Sequence, residues 1–231
     1  MRLDKYVSHV SDLSRKEVKR LLRAGYITVD GEAIKDPSTY ISETMEVCVD
    51  GEPLEAPRPR YFMLHKPQGY VCVTKDQDHP TVLELIDEPN KDKLQIAGRL
   101  DIDTTGLVLI TDDGKWNHAI TSPKRECKKT YYVTLASDIS SDTGAQFAAG
   151  VKLDGELKPT LPADLEVLFS NEARLTISEG KYHQVKRMFA AVGNKVEELH
   201  REKVGSIVLD PDLEPGEYRE LTEDEVLSVK V

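Results

Sequence analysis

The sequence predicts an α+β fold: a mixed, mainly antiparallel sheet in a large C-terminal domain, preceded by a small N-terminal α/β unit. Three observations predict it. Strand-like runs outnumber helical ones. Most neighbouring runs are joined by short turns such as Asp30-Gly31, Asp112-Asp113-Gly114 and Ser170-Asn171-Glu172, which pair strands antiparallel rather than through long crossovers. Pro53, Pro57 and Pro59 fall within seven positions, a composition that favours a stiff, extended connection between two units. The expected division is residues 1–52, a linker over 53–60, and a second domain over 61–231.

In the first unit, Ser14-Arg15-Lys16-Glu17 fits a capping box, in which the serine hydroxyl and the glutamate carboxylate satisfy each other's backbone amides. Val18, Leu21 and Leu22 then share one helical face, and Gly25 suits a left-handed cap. Tyr26 to Val29 reads as a strand that turns at Asp30-Gly31.

In the second unit, strands are expected at Tyr61 to Leu64, Tyr70 to Val73, Leu94 to Ala97, Leu107 to Thr111 and Tyr131 to Leu135. Leu165 to Phe169 and Arg174 to Ile177 form a hairpin, and strands return at Val196 to His200 and Ser206 to Leu209. Helices are expected at Thr81 to Ile86, Lys115 to Ile120, Ser141 to Ala149 and Gln184 to Val192.

Composition narrows the function. The 231 residues are 39% hydrophobic, enough for a core, and carry a net charge of -10. That charge opposes a polyanionic partner on average, but it is uneven. Arg15, Lys16, Lys19, Arg20 and Arg23 cluster in the predicted helix, Lys124, Arg125, Lys128 and Lys129 form a second basic island, and the residues from Asp210 onward are acidic. No apolar run approaches a membrane span, and the N-terminus lacks an apolar signal core, so a cytoplasmic protein is expected. Cys48, Cys72 and Cys127 are odd in number and widely spaced, with no CxxC pair, and the six histidines show no HxxxH spacing. A disulfide framework or zinc site is not expected. Glycine-rich phosphate loops are absent, so no nucleotide cofactor is expected.

Three segments carry chemistry. Gly98-Arg99-Leu100-Asp101-Ile102-Asp103-Thr104-Thr105-Gly106 places two carboxylates, two hydroxyls and an arginine between glycines. If extended, Asp101 and Asp103 would lie on one face about 7 Å apart; in a turn, one could cap the Thr104 or Thr105 amide. From the pattern alone, a structural turn and a catalytic carboxylate both stay open. Gly180-Lys181-Tyr182-His183-Gln184-Val185-Lys186-Arg187-Met188 puts cations and amide donors where a turn enters a helix, a natural anion site or an ordinary basic surface. In Lys129-Thr130-Tyr131-Tyr132-Val133, adjacent tyrosines face opposite sides of a strand, so one can pack while the other lines a cavity, or, more simply, both are core residues. His183 is either a general base or, more simply, a local hydrogen-bonding group.

Together and in this order, the three segments resemble the motifs of RNA pseudouridine synthases, and Arg60-Tyr61-Phe62-Met63-Leu64, Lys66-Pro67-Gln68-Gly69-Tyr70-Val71-Cys72 and Phe189-Ala190-Ala191-Val192-Gly193-Asn194 resemble specifically the branch that modifies ribosomal RNA of the small subunit (16S). Arg2-Leu3-Asp4-Lys5, Ser14-Arg15 and Val29-Asp30-Gly31 resemble an S4 RNA-binding domain. The likeness spans nearly the whole chain. It implies the pseudouridine synthase fold, Asp101 as the catalytic carboxylate, Tyr131 as the tyrosine that stacks on the target base, and Lys186 as the cation paired with the aspartate. A cation within about 4–6 Å favours the charged carboxylate, though lysine lacks the bidentate fork of arginine. The resemblance further implies RNA contacts from Arg2, Ser14, Arg15, Lys19, Arg20, Arg23, Arg99, Lys129, His183, Gln184 and Arg187, a ribosomal RNA or small-subunit assembly intermediate as partner, and no metal or organic cofactor. A monomer is the default.

Two rivals remain at this level, a non-catalytic RNA-binding factor and a two-carboxylate sugar hydrolase. The first leaves Asp101, Tyr131 and Lys186 without a joint purpose. The second leaves the basic islands unexplained, and at 6% aromatic residues the chain is poor in sugar platforms. A synthase acting on 23S rather than 16S rRNA is the near alternative.

Overall fold

A computed structural model of the chain describes residues 1–11, 13–42, 44–54 and 58–230. Its contacts divide into two compact units, Met1–Arg58 and Pro59–Val231.

The first unit holds α1 (Leu3–Val10), α2 (Arg15–Ala24), β1 (Ile27–Val29), β2 (Glu32–Ala33), β3 (Val47–Val49) and β4 (Glu52–Pro53). The strands form an antiparallel sheet in the order β2-β1-β3-β4. The Ser14–Glu17 capping box is present, and Gly25 closes α2 in the left-handed region at φ 80°. Val18 and Leu22, one turn apart, join Leu3, Val7, Ile27 and Val47 in the core, while Arg15, Lys19, Arg20 and Arg23 all stay exposed. Helix α1, which no capping motif announces (its N-cap is Arg2, without a side-chain bond), was not expected.

The first unit extends past the expected boundary at residue 52. Glu52 and Pro53 pair with β3, the Leu54 amide donates to the Val47 carbonyl, and the Leu54 carbonyl accepts from the Tyr6 hydroxyl. Pro53 is tolerated because it stands on an edge strand. Residues 55–57 of the expected linker lie outside the described residues. At its far end Arg60 is tied down, its Nε donating to Asp112 at 2.8 Å.

The second unit contains β5 (Tyr61–Lys66), β6 (Gln95–Ala97), β7 (Thr105–Thr111), α3 (Gly114–Thr121), β8 (Lys129–Leu135), α4 (Thr143–Ala149), β9 (Asp164–Phe169), β10 (Glu172–Ile177), α5 (Gln184–Ala191), β11 (Val196–Val204), β12 (Ile207–Val208), β13 (Tyr218–Glu220) and α6 (Glu223–Leu227). The sheet runs β13-β5-β7-β11-β8-β10-β9, with β6 against β7 and β12 against β11. Its described pairings are antiparallel except β7 with β11, so the sheet is mixed and mainly antiparallel. Strand β7 is buried on both faces: Val108 and Ile110 enter one core with Phe62, Val133 and Phe189, and Leu107 and Leu109 another with Trp116 and Ile120. That is why its sequence reads as an unbroken apolar run rather than an alternation.

The strand expected at Tyr70 to Val73 does not form; Val71 makes only an isolated bridge to Thr81. Short 3-10 turns at Val82–Leu85 and Lys91–Lys93 precede β6. Among the described residues no helix is long and apolar enough to cross a membrane.

Candidate active site

The loop between β6 and β7, residues 98–104, is held from two sides by buried cations. Lys66, at the end of β5, is 0% exposed and donates through Nζ to the carbonyls of Thr104 (2.7 Å), Pro67 (3.1 Å) and Ile102 (3.3 Å). Arg201, in β11, is 1% exposed. Its Nη2 donates to the Gly98 carbonyl at 2.6 Å, Nη1 to Arg99 at 3.4 Å and Nε to Leu107 at 2.8 Å. These bonds satisfy loop carbonyls that would otherwise be buried and unpaired. Burial pulls the Lys66 ammonium below the usual lysine value, against the opposing pull of Cys72, Asp103 and Asp101.

Gly106 lets β7 approach β11 closely. At φ 104° a Cβ there would lie 2.6 Å from the Arg201 backbone nitrogen and 2.9 Å from its carbonyl carbon, so no larger residue fits without moving the strand that carries the clasp.

Held this way, the loop turns rather than extends: the Thr104 amide donates to the Asp101 carbonyl at 3.1 Å. The Asp101 side chain is left free of its own loop. Its Oδ1 lies 3.4 Å from His183 Nε2, and its Oδ2 lies 3.7 Å from Lys186 Nζ. Lys186 bonds more closely to Asp103, at 2.6 and 2.8 Å to the two carboxylate oxygens. The expected pairing of Lys186 with Asp101 is therefore shared, with Asp103 as the nearer partner. Burial pushes the Asp103 carboxyl up, but Lys186 outweighs it and holds the group below the usual carboxylate range.

These groups open onto a cavity of about 840 Å³, whose walls include Cys72, Arg99, Tyr131, Val185 and Leu199. That is within the range of small-molecule sites, about 300–1,000 Å³. Tyr131 is only 7% exposed and lines this cavity from β8, whose burial alternates along its length. Tyr132, on the other face, donates to Glu172. His183 sits at φ 48°, ψ 36°, a left-handed conformation immediately before α5, of the kind that costs about 1–3 kcal/mol and gathers at functional sites.

Other expected contact residues are placed differently. Lys129 lines the cavity but is buried, its ammonium donating to the Cys127 carbonyl at 2.9 Å, and burial lowers its affinity for a proton. Gln184 is buried, accepting from the Lys181 amide and donating to Glu179, both at 2.9 Å. Arg187 faces Glu156, the Tyr182 carbonyl and the Asp154 carbonyl. Each of these three spends its polar atoms on the protein. Arg99 is exposed at the cavity. In the first unit Ser14 is committed to its capping box, and Arg2 pairs with Asp4 at 2.9 Å. Lys66 and Arg201 were missed, because a lysine at a turn and an arginine in a charged strand read as solvent-facing. Among the described residues no group of three or more His, Cys, Asp or Glu converges to hold a metal ion.

The chain is similar to known proteins along its whole length. The sequence profile described as RNA pseudouridylate synthase matches residues 60–191, and the S4 domain profile matches residues 1–47. A relative from Yersinia pestis named ribosomal small subunit pseudouridine synthase A is 59% identical over 230 residues, covering 99% of this chain and 98% of that one. Its namesake from Escherichia coli (strain K12) is 58% identical, covering 99% of this chain and 100% of that one. A crystal structure titled pseudouridylate synthase superposes with a TM-score of 0.73 at 49% identity, covering 100% of both chains.

Proposed function

The chain belongs to the RNA pseudouridylate synthase family, with an S4 domain ahead of the synthase domain, and from that premise we propose that it isomerises one uridine of small-subunit (16S) ribosomal RNA, with Asp101 acting on a nucleoside swung out of its helix. That it is an RNA pseudouridine synthase follows from the family and from the full-length relatives. The names of those relatives support ribosomal RNA of the small subunit as the substrate.

The reaction breaks the N1–C1′ bond, turns the uracil and joins C5 to C1′. C5 gives up its proton and N1 gains one, so there is neither redox change nor hydrolysis. A carboxylate serves as a nucleophile or as a stabiliser of positive charge at C1′. Lys186 and Asp103 hold a charged pair beside it, fixing the electrostatics of the cavity before substrate arrives. Extruding a stacked base costs a few kcal/mol, and stacking on Tyr131 offsets part of this, at about 1–3 kcal/mol per base–aromatic contact. On this reading the exposed cations of α2, Arg15, Lys19, Arg20 and Arg23, meet RNA phosphates and make binding salt-dependent.

The observation that carries the proposal is the Asp101 carboxylate, unbonded to its own loop, facing a cavity with His183 and Lys186 beside it and Tyr131 in the wall. Tritium release from 16S rRNA labelled at uridine C5 tests it. Asp101→Asn is expected to release none while its RNA affinity stays near that of the unaltered protein; turnover by that variant would overturn the assignment.

A further inference from the structure

Tyr182 stands at the rim of the same cavity with its side chain in the open: the residue is 77% exposed. It is not adrift. Its ring lies on the His183 ring, centroids 3.7 Å apart and planes 22° apart, and His183 in turn reaches Asp101. The backbone beneath is fixed from several directions. Arg187 Nη1 donates to the Tyr182 carbonyl at 3.0 Å, the Lys181 amide donates to Gln184 at 2.9 Å, and Lys181 Nζ reaches Glu156 at 2.9 Å. His183 adopts a left-handed backbone to bring its ring under the tyrosine. One face of the tyrosine is thus covered by the histidine ring, and the rest of the ring remains largely open to solvent.

An exposed aromatic ring, backed by a second ring and carried on an anchored backbone, is a stacking platform. Anchoring of the backbone and the stack on His183 lower the ordering cost of binding. Tyr131 is buried in the cavity wall; Tyr182 stands exposed at its rim, one residue from the group that reaches Asp101.

We propose that Tyr182 and His183 form a second nucleobase-binding site, which receives the base next to the target uridine in the RNA strand. This rests on the reading of the Asp101 cavity as the seat of the flipped nucleoside and extends it by one nucleotide. The platform reads the π-face of the neighbouring base, so it tolerates any base and favours the larger surface of a purine. It holds the strand open after the uridine has left its stack, and it gives the enzyme a contact with the nucleotide flanking the target.

Equilibrium binding of uridine monophosphate and of the dinucleotides UpA and ApU to the full chain tests the proposal. At least one dinucleotide is expected to bind about five- to a hundredfold more tightly than the mononucleotide, the range that one base–aromatic stack supplies. Tyr182→Ala is expected to lose that gain and Tyr182→Phe to keep it. Loss of the cavity reading and loss of the platform look different. If uridine monophosphate itself fails to bind, the cavity reading falls and the platform with it. If the mononucleotide binds but neither dinucleotide improves on it, or Tyr182→Ala retains the improvement, the platform alone falls. An equal drop in affinity for all three ligands in Tyr182→Ala would also overturn it, since the tyrosine would then only support the cavity wall.

Discussion

Two pairs of basic side chains flank the 98–104 loop, and they differ in what they touch. Lys66 and Arg201 are buried and bond to backbone carbonyls. Lys186 and His183 are partly open and face carboxylates. The buried pair satisfies the chain and so fixes where Asp101 stands; the open pair lies beside the Asp101 side chain. Residues with similar side-chain chemistry thus take structural or electrostatic roles according to burial and partner, and a sequence alone does not separate them.

The largest expected effect comes from emptying the buried clasp. Arg201→Met leaves the carbonyls of Gly98 and Leu107 without donors, at about 1–3 kcal/mol for each unsatisfied buried group. A drop of several kcal/mol in urea unfolding is expected, with pseudouridine formation falling below detection; a variant as stable and active as the unaltered chain would erase the distinction drawn here. Lys186→Met is expected to separate the two roles. Losing one preorganised electrostatic group costs about 10²–10³ in kcat, while the partly exposed ion pair contributes at most about 1 kcal/mol to stability. Rate and unfolding midpoint measured on the same preparation check whether activity falls without folding.

Asp103→Asn should have the smallest effect. Because Lys186 holds the folded-state carboxyl below its usual range, its stabilising contribution is present above the ordinary carboxylate pKa and is lost as pH falls through the depressed value. The variant is expected to show a slightly shallower acid-side loss of stability, by under about 1 kcal/mol at this exposed group. Unfolding curves at neutral pH and near pH 3 would show it. An Asp103→Asn defect in turnover as deep as that of Asp101→Asn would make Asp103 a reacting group rather than the counter-charge of Lys186.

What the sequence made legible follows the same division. Local rules were readable: the Ser14–Glu17 box, the turn glycine Gly25, the buried run of β7, and the burial alternation around Tyr131. So was the order of the three chemistry-bearing segments, because each stands at an element boundary. Tertiary facts were not. Nothing local says that Arg201 turns inward, because its burial depends on carbonyls about 100 residues earlier in the chain. Nothing local says that Lys186 prefers Asp103, because that depends on the loop turning instead of extending. Tyr70 to Val73 has strand-like residues, yet among the described residues its pairing is limited to the isolated Val71–Thr81 bridge. A signal was overlooked in the acidic stretch: Thr222 and Glu225 form a capping box that starts α6, which a search for serine or threonine followed three residues later by glutamate would have found.

The placement of β11 in the sheet has a consequence for how the protein comes into being. This strand, which follows both β7 and β8 in the chain, inserts between them, and it delivers the guanidinium that grips Gly98. A ribosome that has released the first 195 residues has already made the N-terminal unit, which has its own core and can fold as soon as it emerges. The aspartate, the tyrosine and the lysine are all present in that nascent chain, yet the sheet that would unite them lacks its middle. A chain truncated before Arg201 would therefore keep the core of the N-terminal unit while leaving the Gly98 carbonyl without its clasp.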